Sequence, residues 1–187
     1  MPTLTTAAAL KRALAKERLL FAQDAKWPSV AAFVAGEVVK GSWWSHPQAQ
    51  AIFKLLNELD DNDDLLFVKL VSAKVTIVDA SLVAAVHAIG GAREAWQTTK
   101  LSAPAKKLLA SLEKDGSKRT TGAAAKELEL RLLVRARQVH TASGKHENEL
   151  SLWPSSKVNV DAAKRAVEAV VDAKNAAHAA KHTLPWR

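Results

Sequence analysis

Two groups of side chains in this 187-residue chain have the types and spacing to do chemistry. The first is a run of cations. Residues 100–145 hold eleven Lys and Arg against four Asp and Glu, while the rest of the chain holds sixteen against fifteen. A local positive field of this kind attracts a phosphate backbone before other partners. Lys118, Arg119, Thr120 and Thr121 form a basic loop, followed by Lys126, Arg131, Arg135, Arg137 and Lys145. Backbone N–H groups at a helix start, short hydroxyls and Lys/Arg side chains are the groups that hold phosphate oxygens.

The second group is Lys40-Gly41-Ser42-Trp43-Trp44-Ser45-His46-Pro47. Adjacent tryptophans at a loop-to-helix junction can stack on an exposed base, and a helix start capped by Ser45 can hold a phosphate. Lys40, Trp43, Trp44, Ser45 and His46 are therefore the candidate base or nucleotide contacts. Against this, large aromatics dominate core burial, so one Trp is expected to plug the core and the other to cover a helix end.

Other constellations carry less. The six His make no ligand pattern: His140 and His146 flank a turn, and His178 and His182 lie four apart with no Glu between them and no third ligand. Asp60, Asp61, Asp63 and Asp64 lack the Gly and distal Glu of a calcium loop and read as a solvated helix stop. The absence of Cys removes disulfides, thiolate zinc sites and cysteine nucleophiles, and it fits a reducing cytoplasm. Neither a metal nor a cofactor is expected. No apolar run approaches the roughly 20 residues that span a bilayer, so no membrane partner is expected. Residues 1–20 read as an amphipathic helix without a signal-type apolar core.

These groups need elements to position them. Thr5 or Thr6 caps a first helix expected to run to about residue 23, and Pro28 opens a second over 29–39. A third, with Ser45 as its cap, runs to about residue 59. Residues 65–71 and 74–78 read as a β-hairpin, followed by a helix closed by Gly90-Gly91. In the second half, Ser102 and Pro104 open a helix that Asp115-Gly116 stops. The threonines of the basic loop cap another helix, from 123 to about 134. Two strands over 137–141 and 149–153 flank a polar tip, and an alanine-rich helix covers about 160–181. The fold class is mainly α with small β-hairpins. Residues 1–99 form a helical region with a hairpin, 100–155 a compact helix-and-hairpin module, and 156–187 a final helix and tail.

That module resembles winged-helix DNA-binding proteins over residues 100–153: a leucine-spaced helix, the Asp115-Gly116 stop, a second helix and a hairpin. The resemblance implies DNA contact, with DNA ahead of RNA, and no particular activity. Gln48-Ala49-Gln50 has the paired glutamines of the catalytic motif in the helical winged-helix DNA glycosylases, but the residues around it do not follow that family. Glu127 and Glu129 on the second helix disfavour its insertion into a groove, so backbone contact is expected instead. The leading expectation is a DNA-binding protein that grips phosphates. The alternatives are an enzyme on nucleic acid with a base pocket near Trp43 and Trp44, and a protein-interaction adaptor. The alanines of the final helix let another helix approach closely, so it is expected to pack either on the body or on a second copy as a homodimer.

Overall fold

The computed structural model describes residues 3–140 and 146–187. The protein is mixed α/β, with about 49% helix and 15% strand in two small antiparallel three-stranded sheets. Each expected hairpin is present, and each has acquired a third strand that periodicity did not reveal.

Helix α1 (Ala7–Glu17) starts where expected, with Thr6 Oγ1 accepting the Ala9 N–H at 3.2 Å. It stops six residues early, at Arg18, whose φ is 62° and whose N–H returns to the Leu14 carbonyl. Leu19–Phe21 is strand β1 instead of helix. Leu19 and Phe21 enter one apolar core and Leu20 another. Only the two-residue period of a strand sends neighbouring side chains to opposite faces.

Strand β1 pairs with β3 (Lys74–Val78), which pairs with β2 (Leu66–Val71), in the order β1-β3-β2. Helices α2 (Val30–Ala35) and α3 (Ala49–Asp60) join α1 on one face of this sheet. Helix α4 (Ala80–Gly91), capped by Asp79, covers the other. Burial on both faces explains why these strands read as near-continuous apolar runs.

In the second half, α5 (Ala95–Thr98) is one short turn. Ser102 caps α6 (Ala103–Asp115), accepting the Ala105 N–H at 3.3 Å. Strand β4 (Ser117–Arg119), α7 (Ala123–Leu130), β5 (Arg135–His140) and β6 (His146–Ser151) follow. The sheet order is β4-β6-β5, the same arrangement of lone strand and hairpin as in the first half. Helix α7 ends four residues early because Leu132 takes a φ of 50°. That turn sends Leu132 into the core of the first half, and Leu133 and Val134 into that of the second. Helix α8 (Val160–Ala177) packs on α4, burying Ala163, Val167 and Val171. Of the two uses expected of this helix, packing on the body is the one observed.

Candidate nucleic-acid interface

The basic run is organised by α6. Lys107, Ser111 and Lys114 lie at i, i+4 and i+7, one above the other on the exposed side of the helix. Lys118 reaches back from β4 to place its Nζ 3.3 Å from Ser111 Oγ. Three cations thus share one stripe about 10 Å long. Lys106 and Lys126 are exposed as well, and none of these five lysines makes an ion pair among the described residues. Elsewhere many cations are neutralised: Lys74 by Asp24 at 2.6 Å, Lys164 by Glu94 at 2.5 Å, Lys174 by Glu17 at 2.5 Å. The contribution of Lys107 and Lys114 was not legible as a site because both look like ordinary solvated helix positions. Their seven-residue spacing is the signal that points to them.

The expected basic loop is partly strand. Lys118 and Arg119 pair with Leu150 and Glu149 across β4 and β6, and both are exposed. Arg119 lies 3.9 Å from the Glu149 carboxylate. Thr120 donates its N–H to the Asn148 carbonyl at 3.0 Å. Neither Thr120 nor Thr121 caps α7: Gly122, with φ 109°, occupies that position and no side chain caps the helix. Lys126 faces solvent from α7. Arg131 turns inward, donating from Nη1 to the carbonyls of Trp96 at 2.7 Å and Thr99 at 2.9 Å, so its guanidinium is engaged in the fold. Arg135 is half-buried and Arg137 exposed on β5, the latter 3.9 Å from Asp61. Lys145 lies outside the described residues.

The two acids of α7 that disfavour approach to nucleic acid are both drawn inward. Glu127 accepts the Ser102 hydroxyl at 2.6 Å and its N–H at 3.0 Å, fastening α7 to the start of α6. These bonds, ahead of the Arg131 charge, hold its pKa below the usual range for Glu. Glu129 is buried and ion-paired with Lys69 from β2.

The tryptophan segment forms a 3-10 turn, Trp43–Ser45. Trp43 is half-buried, its N–H donating to Gln23 Oε1 at 3.3 Å. Trp44 is 58% exposed, stacks on Trp43 at 4.0 Å between ring centroids and touches Phe53 at 5.3 Å. Trp43 packs against the apolar core of the first half without being fully buried, and Trp44 lies over Trp43 and Phe53. Ser45 is also not a helix cap. Helix α3 begins four residues later, behind Gln48, and His46 Nδ1 accepts the Gln48 N–H at 3.1 Å. His46 Nε2 faces Glu37 at 3.4 Å, and Lys40 is exposed.

Tertiary structure also assembles a Ser–His–Asp chain that no local pattern announces. Ser72 Oγ is 3.1 Å from His182 Nδ1, and His182 Nε2 is 3.3 Å from Asp24 Oδ1. Ser72 Oγ also accepts the Thr183 N–H at 3.1 Å, while the Ser72 N–H donates to the Thr183 carbonyl at 2.8 Å. Asp24 already binds Lys74 and the N–H groups of Lys26 and Trp27. With every partner taken, the chain works as a tether between residues 182–183 and the β2–β3 turn. No protein-family model, curated protein or solved structure matches this chain.

Proposed function

We propose that the protein binds nucleic acid, duplex DNA ahead of RNA, by gripping the phosphate backbone along the α6–β4 face. The observation that carries this reading is the stripe of Lys107, Lys114 and Lys118, exposed and without ion pairs among the described residues. Arg119, Lys126 and Arg137 extend it, with Thr120 and Thr121 beside it. Arg131 serves from within by holding the α5–α6 connection.

The order helix, strand, helix, hairpin, with strands arranged β4-β6-β5, supports kinship with winged-helix modules. The first half has the same strand arrangement and a further helix, so the chain reads as two such units side by side. Withdrawal of Glu127 and Glu129 favours the same face. Backbone contacts position a protein without reading sequence, so weak sequence preference is expected.

The test is fluorescence anisotropy with a labelled duplex of about 30 base pairs and its single strand, from about 50 to about 300 mM salt. Five phosphate contacts correspond to a slope of log K against log salt of about −4.5. The charge reversal Lys107→Glu/Lys114→Glu/Lys118→Glu should lower affinity and flatten that slope. Binding weaker than about 100 μM at low salt, or an affinity indifferent to the reversal, would sink the reading and favour a protein partner.

A further inference from the structure

Strands β2 and β5 are the outer strands of their sheets and lie next to each other, yet no backbone hydrogen bond joins them among the described residues. The gap is a cleft of about 250 Å³. Phe67, Val75, Val134 and Ala136 give it apolar walls, and the Lys69–Glu129 ion pair also lines it. Three more polar residues line it: Asp60 from the end of α3, Gln138 from β5 and Asn148 from β6. None of the three makes a side-chain hydrogen bond among the described residues, although Asp60 is half-buried.

Size, charge and hydrogen-bonding capacity together define an occupant. The volume is below the roughly 300–1,000 Å³ of drug-sized sites, so it suits one ring system. Carboxyls at Asp60 and Glu129 disfavour an anion, and Lys69 is already paired, so a phosphate belongs outside. Burial, ahead of the opposing Arg137 charge, pushes the Asp60 pKa upward. The carboxamides of Gln138 and Asn148, without a side-chain hydrogen bond among the described residues, supply donors and acceptors for the edge of a ring. The strands that line the cleft also carry members of the basic face: the Asn148 carbonyl on β6 accepts the Thr120 N–H, and Arg137 precedes Gln138 on β5.

We propose that this cleft receives one unpaired or extruded nucleobase of a nucleic acid held on the α6–β4 face, with Gln138 and Asn148 hydrogen-bonding its edge. The inference rests on the phosphate-binding reading above. A base inside an intact duplex cannot reach such a site, so the preferred substrate is DNA carrying an unpaired base.

The experiment compares a matched duplex with the same duplex carrying a single bulged 2-aminopurine, by anisotropy and by 2-aminopurine fluorescence. The bulged duplex should bind about tenfold more tightly. Gln138→Leu/Asn148→Leu, and separately Val75→Trp to fill the cleft, should abolish that preference while leaving matched-duplex affinity within about twofold. Equal affinity for the two duplexes, or a preference that survives both variants, overturns the cleft and leaves the basic face standing. If neither duplex binds, the basic face is refuted, and titration with 2-aminopurine riboside decides the cleft. A saturable fluorescence change lost in Val75→Trp keeps it; no change overturns it.

Discussion

Asp24 illustrates how one buried group can be held ionised. Its side chain is almost wholly removed from solvent. Burial alone would raise its pKa, but Lys74 and the N–H groups of Trp27 and Lys26 outweigh that and bring it down to about 2. A depressed carboxylate stabilises the fold above its ordinary pKa of roughly 4 and loses that contribution as pH falls towards the folded value. Asp24→Asn should therefore cost about 2 kcal/mol near neutral pH, with the difference from wild type shrinking between about pH 4 and pH 2. Urea melts across that range check it; a difference independent of pH would contradict the ion-pair account. At this scale two of the caps were legible in the sequence. Thr6 and Ser102 each bond to an N–H three residues on, a purely local relation. Asp24 was not legible, because its partners Lys74 and His182 lie 50 and 158 residues away.

Helices were easier to read than the short strands. Helices α4 and α6 lie close to their expected bounds, and the β2–β3 hairpin sits within a residue of its own. Strands β1 and β4 have three residues each, too short to display a period, and exist only because β3 and β6 offer them an edge. The approach of α4 to the segment after β6 is equally non-local. A Cβ on Gly90 would lie 2.5 Å from the Trp153 indole, which is itself fixed by its Nε1–H on the Leu132 carbonyl at 2.8 Å. Gly→Ala inside a helix ordinarily stabilises by about 0.5–1 kcal/mol. Gly90→Ala should instead destabilise by about 1–3 kcal/mol through overpacking. A thermal melt settles the sign, and a raised Tm would show that Trp153 gives way freely.

Across the whole molecule, the two halves share one apolar cluster. Leu132 from the second half packs with Leu66, Val86 and Val171, and the Lys69–Glu129 pair crosses the same boundary. Gln97, fully buried, donates to the carbonyls of both Gly90 and Leu132 at 3.1 Å. Such sharing predicts a single cooperative unfolding transition. Far-UV circular dichroism and tryptophan fluorescence should give coincident curves, whereas separated midpoints would mean the halves unfold independently. Charge organisation belongs to this scale too. The net charge is +8, but the field is directional because the cations of α6 and β4 face solvent while Lys69, Lys74, Lys164 and Lys174 are paired. Binding to nucleic acid should therefore respond to reversing three lysines of one stripe more than to reversing three exposed cations of α1 and α8. Paired salt titrations of the two sets test this.

By itself the sequence determined helices α4 and α6, the caps Thr6 and Ser102, the first hairpin and the concentration of positive charge in residues 100–145. These rest on relations within one or two helical turns, or on composition, and need no partner elsewhere in the chain. Tertiary structure alone decided which cations remain free, that Arg131 and Glu129 turn inward, and that Trp44 stays exposed while Trp43 packs. It also decided that two outer strands meet around a cleft and that Ser72, His182 and Asp24 converge. In each case the deciding energy is burial or pairing between segments far apart in sequence, where the direction of a side chain depends on the backbone turn that carries it.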